Sequence, residues 1–554
     1  MKVCLAFSPF SSFSYIPLGI SYLKSYIEKN MPSVFVKNID LSNNFYHNLD
    51  KQEFSSCLPH LCQICPRNVN PKCKGILRRK EFVHWVKVAS VSKSCIIDSK
   101  NMDFYDINKY NKLRKLYDLF YSQIISCIAQ VLKRSLEFEK KENNIILENS
   151  LFKDDVNKIS SEDPDTVGFS IFSVSQLYYS LALAKTLKAR INPQIILGGA
   201  YISHLDKTAI LKMFDFIDFI IYKEGELGIA GLLKNSKKRR FNEIPNLVYR
   251  KGDRVIENKE SVIRNLDQIP LPGFGDYNLK KYFAPRPVLS TVFSRGCFWG
   301  ACTFCAHRKT YSNPYRTRSI PNLIRELAHY KKKGIRHIWF TDEMISAANL
   351  DFINKALLKK KIKIYYGVML RPTGDFTHEI LKRMYKAGCR FIIWGVESFS
   401  QRMLNLMNKG TNVREIENVL KNSHRIGLSN LIYMIQGFPT QTEGEILKDM
   451  ETLKEKSKYL YASVIHNFWL EEDTDIFRNP KKFGLKYFKR DYLLKIKRLK
   501  LFTPKVSFIS KNKINRKRLS KLLKKNQKKD KFLREFNDTG MFYNKEHILL
   551  HVTH

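Results

Sequence analysis

Two α/β domains in series are the fold class this sequence predicts: a doubly wound, flavodoxin- or Rossmann-like domain, then a partial (β/α)6 barrel and a basic helical C-terminal region. Three observations predict it. Short apolar runs alternate with helical patterns up to about residue 222, and alternate again from about 289 to 468. Between the two series lies a stretch punctuated by Pro and Gly. After them, basic residues crowd the end of the chain. Continuous apolar strands alternating with helices are the pattern of a parallel sheet covered on both faces.

In the first series the strand candidates are Val3–Phe7, Val34–Ile39, Thr166–Phe172, Gln194–Leu197 and Phe216–Tyr222, with helices such as Leu18–Glu28 and Leu177–Arg190 between them. A polar segment at about 45–150 interrupts this order and reads as an insertion, with one helical stretch near Lys109–Phe138. The first domain is therefore expected over 1–245 and a linker over 246–285, where LDQIPLPGFGDY supplies the turn residues. Strands resume at Leu289–Ser294, His337–Thr341, Ile362–Val368, Phe391–Gly395, Asn430–Gln436 and Tyr461–Phe468. Six βα units are two short of the usual closed barrel, which makes 286–480 an incomplete one. Residues 481–554 read as helical and basic.

At 554 residues, 44% hydrophobic and 12% aromatic, the chain has the composition of a folded protein rather than a disordered one. No window supplies the roughly 20 apolar residues of a membrane span. The N-terminal MKVCLAFSPF reads as a buried strand rather than a signal peptide, so a cytoplasmic location is expected. The net charge of +44 suits an electrostatic partner such as RNA, a phosphate-rich substrate or an acidic peptide, but equally a Lys- and Asn-heavy composition with solvated helix faces. The latter account is favoured, and nucleic acid is the weaker expectation. The excess does concentrate: residues 486–535 hold twenty Lys or Arg against three acids.

Eleven cysteines are too few and too unevenly placed for a disulfide scaffold. Cys297, Cys302 and Cys305 fall in SRGCFWGACTFCAHR, a Gly-containing loop directly after a predicted strand. Three soft thiolates on one loop suit iron–sulfur or zinc. Zinc wants a fourth ligand, for which His307 sits very close in sequence to Cys305. A plant-type [2Fe–2S] site wants a fourth Cys, for which Cys389 is the candidate, although YKAGCRF reads as core. Three ligands and no fourth would leave one iron of a cubane open to a small molecule. A second group, Cys57, Cys62, Cys65 and Cys73, lies in the insertion with His60 nearby. It is a complete tetrahedral set for zinc or an auxiliary iron–sulfur cluster, and the residues do not decide between them.

The segment 289–442 resembles the catalytic core of the radical S-adenosylmethionine (SAM) superfamily. The cysteines are followed in order by YRTRS at 315–319, WFTDE at 339–343, WGVES at 394–398 and IQGFPTQT at 435–442. The commonest spacing in that family is C-x3-C-x2-C, and this chain has one residue more between Cys297 and Cys302. The resemblance implies a [4Fe–4S] cluster on Cys297, Cys302 and Cys305 whose open iron chelates SAM and cleaves it to a 5′-deoxyadenosyl radical. It further implies Phe304, Asp342, Glu343, Glu397 and Gly437 as SAM-binding positions, with Asp342 and Glu343 able to meet the ammonium group. Arg316 and Arg318 are candidates for the SAM carboxylate or for plain salt bridges.

The carboxyl ends of the N-terminal strands are rich in Ser and Gly. Ahead of such a core, IPLGISYL at 16–23, VGFSIFSVS at 167–175, ILGGAYIS at 196–203 and EGE at 224–226 resemble the cobalamin-binding domain of the B12-dependent radical SAM group. No D-x-H-x-x-G occurs, so a His ligand to cobalt is not expected. Ser170, Ser173, Gly198 and Gly199 are the expected contacts to the nucleotide tail. The resemblance implies a cobalamin-dependent methyltransferase acting on an unactivated carbon of a small-molecule or peptide substrate, with a one-electron reductant such as flavodoxin or ferredoxin. Cobalamin-dependent rearrangement or cyclisation, and cobalamin-free modification of RNA or peptide, are the alternatives. A non-enzymatic iron–sulfur or zinc nucleic-acid module explains the charge and the cysteines, but not the ordered motifs.

Overall fold

The computed structural model describes residues 1–12, 14–48, 104–138, 141–235, 240–306, 314–510 and 544–554. They form two compact units. The first is Met1–Arg264 with Gln268–Pro287 and Tyr492–Thr503; the second is Asn265–Asp267, Val288–Asp491 and Pro504–His554.

The first unit is built on strands β1 (Lys2–Phe7), β2 (Phe35–Asp40), β3 (Thr166–Ser170), β4 (Gln194–Gly198), β5 (Phe219–Ile221), β6 (Leu247–Lys251) and β7 (Arg254–Glu257). They lie in the order β2-β1-β3-β4-β5-β6-β7, the first five parallel and the last two antiparallel. The order 2-1-3-4-5 is the flavodoxin-like doubly wound arrangement, and its switch point lies between β1 and β3. Val3, Leu5 and Phe7 bury one face of β1 against Ile20 and Ile27 of the helix Leu18–Asn30 and Ile229 and Leu232 of the helix Gly225–Asn235. The expected linker is corrected here. Residues 247–257 extend the sheet as a hairpin, because Leu247, Val248 and Tyr249 are apolar enough to bury completely.

The second unit is a six-stranded parallel sheet: β8 (Val288–Thr291), β11 (His337–Phe340), β12 (Tyr365–Leu370), β13 (Cys389–Glu397), β14 (Ser429–Gln436) and β15 (Ala462–Asn467), neighbours in that order. A small antiparallel pair, β9 (Ser294–Arg295) with β10 (Arg316–Thr317), flanks the cysteine loop. The helices between the strands start where the sequence supplies a side-chain cap. Ser319, Ser346, Thr377 and Asn412 each accept from the backbone three residues on, and Thr442 with Glu445 forms a reciprocal capping box. Tyr366 on β12 reaches the helix Ala347–Lys359 through Asn354 at 2.7 Å, which fixes the helix-covered face. The alternate residues His337, Trp339 and Tyr365 face the other way.

On that opposite face lies the C-terminal helix Lys545–His551. Leu549 is fully buried, the Lys545 ammonium lies 4.8 Å from the Trp339 ring centroid, and Thr553 meets His337 at 3.1 Å.

The expectation of a helical C-terminal region fails over 485–510. β17 (Leu485–Ile496) and β18 (Leu499–Ser510) form an antiparallel hairpin that pairs with β16 (Leu470–Glu471). Charge hid the period: Lys495-Ile496-Lys497 and Leu499-Lys500-Leu501 alternate every two residues, as a strand requires. Lys497 at φ 53° makes the turn. Residues 511–543, most of the densest basic run, lie outside the described residues, as do Cys57, Cys62, Cys65 and Cys73. Among the described residues no helix is long and apolar enough to cross a membrane.

Candidate active site

The cysteine loop leaves β9 through Gly296 at φ 86° and turns again at Gly300, φ 59°. Cys297, Cys302 and Cys305 are half-buried, and none is in a disulfide. The loop is clamped from outside the cysteines. The Thr303 amide donates to the Met407 carbonyl at 2.9 Å and its hydroxyl to the Leu406 carbonyl at 3.1 Å. Trp299 Nε1 donates to the Asn408 carbonyl, and Asn408 Nδ2 to the Ala301 carbonyl, each at 2.9 Å. The thiols are thus presented on a backbone already held by the segment that follows the helix Gln401–Leu406.

That segment also delivers Lys409. Its ammonium lies 2.7 Å from Glu397 Oε1, and both side chains are nearly buried. Glu397 ends β13 at φ 68°, where the register with β14 slips between Gly395 and Glu397. Such a bulge re-aims a side chain at the rim of a sheet. Gly395 leaves room for the pair: a Cβ there would sit 2.8 Å from Lys409 Nζ and 3.0 Å from Glu397 Oε1. Burial opposes the charge on Lys409, but Glu397 and the sulfurs of Cys302 and Cys305 together hold its pKa above the ordinary lysine value. Burial in turn pushes the Cys302 thiol up, against the pull of Lys409. Arg371, just past β12, stacks its guanidinium 4.0 Å from the Trp299 ring centroid.

Of the residues singled out in the sequence, Glu397 therefore joins the cysteines, and Phe304 packs at 6.3 Å from Phe438 in the same corner. Gly437 has φ 79° and open space where a Cβ would stand, while its N–H is taken by Gln441 Oε1 at 2.8 Å. Glu343 is half-buried near Lys545. Asp342 is turned inward. Its carboxylate accepts from the amides of Phe293 and Ser294 and from the Ser294 hydroxyl, between 2.5 and 3.1 Å. It fixes the turn that launches the cysteine loop, and at 1% exposure it is closed to an outside ammonium. Arg318 is likewise spent: it pairs with the buried Glu326 at 2.6 Å and bonds Asn322 and the Val292 carbonyl. Cys389, fully buried at the start of β13 with its thiol pushed up to about 12 by burial, is a core residue.

Lys409, Arg371, Trp299 and Gly410 escaped the sequence reading. The only available signal was Lys409-Gly410 just beyond a short helix, which by itself says no more than a helix end.

Burial pushes the Asp342 carboxyl up to about 6, against the hydrogen bonds it accepts. A folded value above the unfolded one means that protonation favours the fold. The contribution is greatest below the unfolded value of 3.8 and is lost as pH rises through about 6. Asp40 and Asp449, both at about 6, and Asp155, at about 7, act in the same direction. Unfolding at pH 5 is therefore expected to release protons from these carboxyls, and Asp342→Asn to release about one fewer than wild type. Calorimetric unfolding in buffers of different ionisation enthalpy measures the difference; equal release by both proteins would refute the assignment.

Gly410 sits at φ 65°, and a Cβ there would come within 2.2 Å of the Trp299 ring and 2.8 Å of Arg371 Nη1. Gly410→Ala is expected to cost on the order of 1–3 kcal/mol and to expel Trp299 from its stack. A lowered Tm together with red-shifted tryptophan emission is the expected signature.

In the first unit the four nucleotide-tail candidates sit at the carboxyl ends of β3 and β4, beside the switch point. Two of them serve the local backbone. Ser173 caps the helix Val174–Ile191 by accepting from the Gln176 amide at 3.3 Å. Gly199, at φ 97°, has Ile171 N and O only 2.5 Å from where a Cβ would be, so the loops after β3 and β4 touch through it. Gly198 is nearly as tight, 3.2 Å from the Ile221 carbonyl. Gln176 ties the β1 and β3 loops together, donating to the Ser8 carbonyl and accepting from the Phe172 amide, each at 2.7 Å. Phe172 itself is 68% exposed at this rim.

Comparison with known proteins bears on both units. Residues 291–453 match the Radical SAM superfamily. An uncharacterized methyltransferase of Pyrococcus horikoshii is 29% identical over 309 residues, covering 54% of this chain and 66% of that protein. The hopanoid C-3 methylase of Methylococcus capsulatus is 28% identical over 283 residues, covering 49% and 53%. The match thus spans from about half to just under two thirds of these curated relatives. Among solved structures, the radical SAM methyltransferase TsrM of Kitasatospora setae, with cobalamin and a [4Fe–4S] cluster bound, aligns over 86% of this chain and 74% of its own at a TM-score of 0.54 and 12% identity. That likeness is one of fold.

Proposed function

Because residues 291–453 match the Radical SAM superfamily and the chain shares its fold with a solved cobalamin-containing radical SAM methyltransferase, we propose that it is a cobalamin-dependent radical SAM methyltransferase acting on an unactivated carbon. The observation that carries the reading is the grouping of Cys297, Cys302 and Cys305 on one clamped loop beside the buried Lys409–Glu397 pair.

The residues suit a cluster better than a single ion. All three donors are soft thiols, and among the described residues no three His, Cys, Asp or Glu side chains converge as ligands of one ion. A cubane binds each thiolate through a different iron. When bound, the cluster supplies one-electron cleavage of SAM to a 5′-deoxyadenosyl radical, and cobalamin supplies the methyl carrier.

The protein's own part is positioning and charge. Lys409 offers a desolvated ammonium beside the sulfurs, suited to the carboxylate of SAM, and Glu397 holds that ammonium in place. Glu343 is the more accessible carboxylate for the amino group, since Asp342 is buried against the backbone. Gly437 and Phe304 are assigned to the adenosyl side, where an absent side chain and an apolar ring would let a base approach. Ser170 and the rim beside Phe172 are assigned to the cobalamin tail, with Gly198 and Gly199 permitting the close loop approach beneath it. Residues 1–245, extended by the hairpin to 257, would be the cobalamin domain and 286–480 the radical core. A small molecule or peptide would be the substrate, and an acidic one-electron reductant such as flavodoxin would be steered by the net charge of +44.

The test needs no substrate. Protein reconstituted anaerobically with iron, sulfide and hydroxocobalamin, then reduced and given methyl-labelled SAM, should retain corrin, form 5′-deoxyadenosine and carry label on the corrinoid. Corrin lost on desalting would remove cobalamin from the account. A loaded cluster that never yields 5′-deoxyadenosine would remove the radical chemistry as well.

A further inference from the structure

Arg371 is the buried cation of the cysteine corner that carries no ion pair among the described residues. The residue is buried, with 6% of its surface exposed. Nη1 donates to the Lys409 carbonyl at 2.9 Å, and Nε has no hydrogen-bond partner. The guanidinium lies 4.0 Å from the Trp299 ring centroid and 5.7 Å from that of Phe298, two residues of the cysteine loop itself. Burial works against its charge most strongly, and among the groups that favour the charge the sulfurs of Cys302 and Cys297 come ahead of Asp375 and Glu415. Lys409, by contrast, is ion-paired with Glu397 at 2.7 Å. Gly410 keeps the stack possible, since any side chain there would strike both Trp299 and Nη1.

A desolvated charge without a carboxylate partner is costly and is tolerated where an anion is supplied from elsewhere. A cubane on three thiolates is such an anion, and its negative charge grows by one on reduction. We propose that Arg371 is a positioning residue which, locked to the cysteine loop through Trp299, offsets the charge gained on reduction and so raises the cluster's reduction potential. The inference rests on the cluster reading above. No bond forms or breaks in the step: one electron passes from an external one-electron donor to the cluster. Second-sphere charge and burial are among the levers a protein holds over such potentials.

Wild type, Arg371→Gln and Arg371→Lys are reconstituted anaerobically and matched for iron and sulfide. Without SAM they are titrated with titanium(III) citrate and mediators, while the EPR signal of the reduced cluster is followed. At the potential that half-reduces wild type, the reduced-to-oxidised ratio of Arg371→Gln should fall about tenfold, a midpoint ~59 mV more negative for one electron, and Arg371→Lys should recover most of it. An Arg371→Gln protein with a full cluster and an unmoved midpoint overturns the proposal. Should that variant load poorly, Trp299→Leu keeps the charge but frees the guanidinium from the loop. Its midpoint should move the same way by less, and an unmoved one again overturns the proposal. A wild-type protein that holds no cluster sinks the functional reading instead, so the two failures are distinguishable.

Discussion

Replacing Cys297, Cys302 and Cys305 together by Ala should leave a folded protein that holds no [4Fe–4S] cluster and forms no 5′-deoxyadenosine from SAM. The fold should survive because the loop's main anchors do not use the thiols: Thr303 bonds the carbonyls of Leu406 and Met407, Trp299 and Asn408 bond across the gap, and Asp342 ties down the turn at Phe293 and Ser294. Cavities left by three small, half-exposed side chains are minor beside a Leu-sized deletion in a core. The predicted change is therefore one of chemistry, by orders of magnitude, with circular dichroism and Tm close to wild type. Iron content, the visible charge-transfer band and 5′-deoxyadenosine by chromatography read it out. Undiminished 5′-deoxyadenosine from the triple variant would end the cluster assignment.

Lys409→Met is the second large effect. It leaves Glu397 buried without its partner, and breaking one side of a buried pair costs about 3–5 kcal/mol. The companion Glu397→Gln strands the ammonium instead. The double variant, Met with Gln, removes both charges and should recover much of the stability, since replacing a whole buried pair is often near neutral. Function should not recover with it, because the double variant, like Lys409→Met, lacks the cation proposed to hold the SAM carboxylate. Denaturant unfolding of the four proteins gives the coupling, and SAM binding by isothermal calorimetry tests the ligand role. Equal SAM affinity in wild type and the double variant would show that the pair is structural alone.

Much of the site was legible because its parts are local. The three cysteines, Glu397 and Gly437 each stand at the end of a strand or in the loop after one, where alternation of apolar runs already marks a boundary. What local pattern could not reveal is what each group meets. Asp342 and Glu343 are adjacent in sequence and look interchangeable, yet successive residues at a strand end point to opposite sides. Asp342 thus turns onto backbone amides of the β8–β9 turn while Glu343 does not. Ser173 and Gly199 illustrate a different limit. A cap and a close backbone approach need the same residue types that a nucleotide tail would, so composition does not separate the two uses. The C-terminal hairpin was misread because a run of lysines at roughly every second or third residue fits a solvated helix or an edge strand equally well. Its pairing with β16 decides the matter.

By itself the sequence determined the order of the two α/β units, the element type of most segments and the place of the three-thiol loop after a strand, because these depend on periodicities and spacings within about twenty residues. Only the tertiary structure decided which charges are buried together. Lys409 reaches Glu397 because a bulge and a glycine open the space between them, and Arg371 reaches the thiol loop because Trp299 lies across it. Desolvation is a property of the assembled surroundings, so a lysine that is ordinary in sequence becomes a chemically specific cation only after folding.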